Sequence, residues 1–166
     1  MLVIGIDPGT ASTGYGFVQL TANGGLELVD FGVITTLPNL PMPDRLHLLY
    51  NQLSQLLTLH QPNSGAVEKL YFQRNVSTAI SVGQARGVTL LALAEAGVRV
   101  SEYSPREIKQ AIVGYGGAEK KQIQQMVQTL LEMETLPEPD DAADALAIAI
   151  CHLHSLPMRG LLEETS

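Results

Sequence analysis

The apolar positions of this chain follow two rhythms. Short continuous runs mark strands: Leu2, Val3, Ile4 and Ile6 form the first, residues 14–20 (GYGFVQL) the second and residues 26–36 (LELVDFGVITT) the third. Asn23 and Gly24, which adopt positive φ readily, lie between the second and third, so the opening reads as a three-stranded antiparallel meander. Three prolines within residues 37–43 break the pattern. Leucines and Tyr50 then recur at helical spacing to His60, with Asp44 placed as a helix cap. A fourth strand covers residues 65–72 (GAVEKLYF), interrupted by Glu68. Residues 77–96 predict a helix containing Gly83 and Gly87, which each cost about 1 kcal/mol relative to alanine unless backbone packs closely there. Residues 98–103 (VRVSEY) form a fifth strand, and Ser104, Pro105 and Glu107 supply the cap, first helical residue and capping-box acid of the next helix. Gly114, Gly116 and Gly117 end it. Two more helices follow, over residues 118–133 and 141–154.

A meander followed by alternating helices and strands predicts an α/β domain with a mixed sheet of about five strands flanked by helices, the order found in the ribonuclease H-like fold. At 166 residues one domain suffices, spanning residues 1–157 and leaving 158–166 as a short flexible tail. No apolar stretch reaches the ~18 residues of a membrane span. Cys151 is the only cysteine, and the N-terminus lacks the composition of a signal peptide, so a soluble protein of the reducing cytoplasm is expected.

The net charge of −7 argues against an anionic partner until its distribution is considered. Residues 66–124 carry eight basic side chains against five acids, a net +3, while the remainder of the chain is −10. The middle of the chain is where a nucleic acid would be met.

Two strands contain a carboxylate where a core residue is expected: Asp7 ends the first and Glu68 interrupts the fourth. Burying an ionised carboxylate without a partner costs several kcal/mol, so such groups are paired, capped or bound to metal. The final helix adds Asp141 and Asp144, three residues apart and so on one face. Asp140 beside them reads as a helix cap, whereas Asp144 lies among Ala143, Ala145, Leu146 and Ala147. The proposed fold brings Asp7, Glu68, Asp141 and Asp144 toward one end of the sheet. An all-oxygen set suits Mg²⁺ or Mn²⁺ rather than Zn²⁺. His47, His60, His152 and His154 offer no better site and read as structural or surface residues. Acidic sites holding two such ions recur in phosphodiester hydrolysis, and because carboxylates repel a phosphate backbone, Lys69, Arg74, Lys109 and Lys120 are the candidates to hold it.

The blocks GIDPGTASTGYG, AVEKLYFQRNVSTAISVGQARGV, EYSPREIKQAIVGYGGAEKKQIQQMV and DAADALAIAICH, which span nearly the whole chain, resemble the RuvC family of bacterial Holliday junction endonucleases. The resemblance implies a homodimer that binds a four-way DNA junction and nicks two strands of like polarity in DNA recombination and repair, leaving 5′-phosphate and 3′-hydroxyl ends. It places the family's acidic quartet, which holds two Mg²⁺, on Asp7, Glu68, Asp141 and Asp144, and an aromatic residue that stacks on an unpaired base on Tyr71. Phenylalanine is common there, so the Tyr71 hydroxyl is a departure. It gives Lys109 and Lys120 a catalytic part at the scissile phosphate, with Lys121 the alternative to Lys120. The glycine-bearing helix is implied to pack in the dimer with Arg86 near DNA, and the RuvA–RuvB branch-migration complex is the implied partner. The rival readings are a ribonuclease H-like enzyme acting on structured RNA, and an actin- or heat-shock-type ATPase, whose strand-turn GIDPGT resembles but whose length this chain does not reach.

Overall fold

In the computed structural model of the chain, residues 1–69 and 76–163 are described, with 76, 77 and 157–163 described by their backbone alone. Five strands and five helices follow one another as β1 (Leu2–Asp7), β2 (Ser12–Leu20), β3 (Leu26–Thr35), α1 (Met42–His60), β4 (Ser64–Glu68), α2 (Val76–Glu95), β5 (Arg99–Tyr103), α3 (Pro105–Val113), α4 (Lys120–Leu130) and α5 (Asp140–Glu163). The sheet order is β3-β2-β1-β4-β5, antiparallel through β1–β2–β3 and parallel through β1–β4–β5. This is the mixed five-stranded sheet that the order of elements predicts.

The elements differ from expectation mainly at their ends. Helix α1 starts at Met42 after Pro41, so Asp44 lies in its first turn and does not cap it. Ser104 caps α3 as its sequence predicts: the Glu107 N–H donates to Ser104 Oγ at 3.2 Å, and the Ser104 N–H donates to Glu107 Oε2 at 2.7 Å. Strand β4 covers Ser64–Glu68, and residues 70–72 of the expected strand lie outside the described residues. Helix α5 runs on to Glu163, into the stretch expected as a separate tail.

Alternation along the strands divides the core in two. Val3, Val18 and Ala66 pack with α3, α4 and α5, while Ile4, Ile6, Phe17 and Val67 pack with α1 and α2. Odd-numbered positions of β1 and even-numbered positions of β4 therefore face α5, so Asp7 and Glu68 both point to that side at the ends of adjacent parallel strands. The register Ile6↔Val67, continued by one residue, sets them side by side.

Helix α5 lies on this face at very short range because glycines remove the side chains beneath it. A Cβ on Gly5 would come within 2.1 Å of the Ala145 carbonyl oxygen, and one on Gly14 within 1.8 Å of the Asp141 carbonyl oxygen. Gly14 is the antiparallel partner of Asp7, so the close approach that brings in Asp141 occurs beside the buried acid. Buried His152 fastens α5 further along, through 2.9 Å hydrogen bonds to Ser64 Oγ on β4 and the Tyr103 hydroxyl on β5.

Gly14→Ala is expected to destabilise the protein by about 2–3 kcal/mol or more, since the obstacle is helix backbone and not a rotatable side chain. Chemical denaturation checks this, and a loss below about 1 kcal/mol would show that α5 does not depend on that contact.

Candidate metal centre and nuclease site

The turn after β1 is pinned by side chains. The Gly9 N–H donates to Thr13 Oγ1 at 3.2 Å, and the Thr13 hydroxyl donates back to the Gly9 carbonyl at 2.6 Å. The Thr36 hydroxyl donates to the Thr10 carbonyl, tying the turn to the end of β3. Pro8, Gly9 and Thr10 thus lead the chain away immediately after Asp7, and the carboxylate is left at the strand's end.

The acids feel one another strongly. Burial first, then the charges of Glu68, Asp144 and Asp141, raise the Asp7 carboxyl from 3.8 to about 7, against a smaller opposing pull from Lys120. Glu68 is raised by burial and by Asp144, with Arg86 and Lys109 acting the other way. Asp144 is raised by burial, opposed by Lys120. The structure therefore brings all four expected carboxylates into one electrostatic neighbourhood. Among the described residues no three already surround a common point closely enough to ligate an ion. Like charges splay apart, and a divalent cation would turn their repulsion into attraction. The donor set is all oxygen and short of positive charge, and it fits such an ion.

Lysines border the acids. Lys120 is the first residue of α4, an unfavourable place for a cation in a helix. Its Nζ lies 3.0 Å from Asp140 Oδ2 and 3.2 Å from Asp144 Oδ2. Burial lowers the ammonium's pKa, but Asp140 and Asp144 outweigh it and the net shift is upward. Asp140 also accepts from Gln124 Nε2 at 2.8 Å, so the residue expected as a cap joins α5 to α4. Lys120 and Lys109 line, together with Glu68 and Asp144 and the apolar Pro105, Ile108, Ile123 and Ala147, a cavity of about 230 Å³.

The remaining sequence candidates are more dispersed. Lys69 stands 4.0 Å from Glu107 at the surface, and Lys121 is exposed. Tyr71 and Arg74 lie outside the described residues. Arg86 is turned inward, donating to the Glu68 carbonyl oxygen and pairing with Glu102 at 2.8 Å, a link that spacing alone did not signal. The histidines hold structural positions: His60 meets Asp30 at 3.0 Å and stacks on Phe17, and His154 contacts the Ala111 carbonyl at 3.3 Å.

Acids at the ends of two parallel central strands, facing the first turn of a helix laid on a mixed sheet and bordered by lysines, define a nuclease of the ribonuclease H-like class. The family model described as crossover junction endodeoxyribonuclease RuvC matches residues 3–152. A crossover junction endodeoxyribonuclease RuvC of Chloroflexus aurantiacus is 55% identical over 157 residues, covering 95% of each chain. The Thermus thermophilus RuvC structure superposes with a TM-score of 0.89 at 37% identity, covering 96% of this chain and 97% of its own. T. thermophilus RuvC in complex with Holliday junction substrate gives a TM-score of 0.87 at 34% identity over 95% and 96% of the two chains. The chain belongs to the RuvC family, whose members are metal-dependent junction endonucleases. These matches do not favour the ATPase and RNA readings.

The raised acid has a consequence for stability. Unfolded Asp7 titrates near 3.8 and folded Asp7 near 7, so between these values the folded state retains a proton that the unfolded state has lost. In EDTA this group's contribution to stability accordingly falls as pH rises from about 4 to about 7 and is level above that. Asp7→Asn should raise the melting temperature in EDTA at pH 8 by at least about 3 °C, roughly 1 kcal/mol in a chain of this size. An unchanged or lower melting temperature would show that Asp7 is not under electrostatic strain.

Proposed function

We propose that this endonuclease resolves four-way DNA junctions as a two-fold homodimer, each protomer nicking one of two strands of like polarity and leaving 5′-phosphate and 3′-hydroxyl ends. The observation that carries this reading is the junction of β1, β4 and α5, where burial raises Asp7, Glu68 and Asp144 and where Glu68 and Asp144 line one cavity with Lys109 and Lys120. Asp7, Glu68, Asp141 and Asp144 would hold two Mg²⁺ ions, for which Mn²⁺ would substitute. Bound there, such ions would supply an activated water and stabilisation of the leaving 3′-oxygen.

The chain's own residues do the rest. Asp7 must lose its proton to bind a cation, so cation affinity weakens as pH falls below about 7. Lys109 and Lys120 neutralise charge developing on the scissile phosphate, with Lys120 favoured over Lys121 because its Nζ already lies at Asp144. Lys69, Arg74 and Lys121 hold flanking phosphates, and Tyr71 stacks on an unpaired base at the crossover, a contact of about 1–3 kcal/mol.

The outer face of α2 supports the dimer. Ile80 and Leu91 are 58% and 52% exposed, and Cβ atoms on Gly83 and Gly87 would meet nothing within 4 Å in the same chain. These residues recur on one side of the helix, so the close packing expected at the glycines would come from a second copy. A four-way junction has approximate two-fold symmetry, and a two-fold dimer presents one site to each of two opposed strands. A cytoplasmic location and cooperation with RuvA–RuvB complete the proposal.

Synthetic four-way junctions, duplex of the same sequence and structured RNA, each incubated with Mg²⁺ or EDTA, test this directly. Paired, symmetric, Mg²⁺-dependent nicks in the junction alone are expected. Equal cutting of duplex or RNA, or cleavage in EDTA, would overturn the proposal.

A further inference from the structure

The Glu68 carbonyl lies where the sheet runs out of donors. On one side β1 ends in Asp7 and continues as Pro8, which has no N–H. On the other, β5 ends at Tyr103, whose carbonyl accepts from the Lys69 N–H at 2.8 Å, while the next N–H, of Ser104, goes to Glu107. The β1–β4 ladder therefore cannot continue to the Glu68 carbonyl, at the residue that carries the acid. Arg86 reaches in from α2 at this point. One guanidinium nitrogen donates to the Glu68 carbonyl oxygen, and the other stands 2.8 Å from Glu102 Oε1. Glu102 is beside Val67 in the β4–β5 register, so the fork spans both strands. The Arg86 side chain is only 12% exposed, and charge-assisted hydrogen bonds in such a setting are among the stronger ones.

We propose that Arg86 is a positioning residue: its guanidinium, held by Glu102, replaces the ladder bond that Pro8 cannot donate at the end of β4 and fixes the backbone from which Glu68 would reach the cations. Arg86 then acts on catalysis through Glu68 and does not need to touch DNA. Groups one step removed from metal ligands typically change metal affinity or activity by about 10–100-fold when lost.

The proposal rests on Glu68 as a cation ligand, and the experiment separates the two. Mn²⁺ binding to the free protein is measured by calorimetry, junction affinity by fluorescence anisotropy in EDTA across a salt series, and strand cleavage under single-turnover conditions, for the native protein and for Glu68→Gln, Arg86→Ala, Arg86→Lys and Glu102→Gln. Arg86→Ala is expected to weaken Mn²⁺ binding and slow cleavage by about 10-fold or more, with junction affinity within about 2-fold of native and an unchanged salt slope. Arg86→Lys should restore part of both losses, and Glu102→Gln should show the same pattern more weakly. Native Mn²⁺ binding after Arg86→Ala, or weakened junction binding with a salt slope reduced by about one, would overturn the proposal and make Arg86 a phosphate contact. If Arg86→Ala does not fold, Arg86→Lys and Glu102→Gln are judged by the same criteria. If Glu68→Gln leaves Mn²⁺ binding unchanged, it is the assignment of Glu68 that fails.

Discussion

Repulsion among carboxylates held close together is the constraint around which this molecule is arranged. Asp7 and Glu68 end adjacent parallel strands with their side chains on one face, and α5 brings Asp141 and Asp144 onto that face over positions without side chains. Burial first, and then the neighbouring acids, displace the Asp7 carboxyl from 3.8 to about 7, a group the isolated fold would be better without. Such strain persists only where surrounding structure enforces it. Here the enforcement comes from Gly14 beneath Asp141, the Thr13–Gly9 bonds behind Asp7 and the His152 bridge from α5 to β4 and β5.

The cations of the protein itself are arranged in two roles. Lys120, at the start of α4, faces the acids and ties α4 to Asp140 and Asp144 in the first turns of α5. Both partners are substantially exposed, so the pair contributes little to stability, and its position at the cavity is better explained by the chemistry. Arg86 works from the buried side, where it engages backbone and Glu102. Positive charge thus borders the acidic cluster on both sides, Lys120 at the cavity and Arg86 from the buried side.

The strands and helices were largely legible in the chain because period-two and helical patterns are strong and the turns are marked by glycine, proline and the Ser104 capping box. Asp7, Glu68 and Asp144 were legible as acids interrupting apolar segments, since physics disfavours them there without a task. The Asp44 assignment failed because prolines on both sides of Met42 start α1 earlier, without a side-chain cap. Arg86 was readable as a basic residue in the positive middle of the chain, but its partner is a backbone carbonyl, which no side-chain pattern announces. The role of Gly14 was hidden for a related reason: what matters is an absent side chain facing a helix more than a hundred residues away, and only the strand register reveals it.

The proposed nuclease centre depends on the four acids sharing bound divalent ions. Crystals of the protein soaked in Mn²⁺ and measured at the manganese absorption edge test that claim most directly. Anomalous density is predicted among Asp7, Glu68, Asp141 and Asp144, with the Asp7 carboxylate contacting an ion and the cluster drawn inward. Density confined to other surface acids, or none at this site at saturating Mn²⁺, would contradict it.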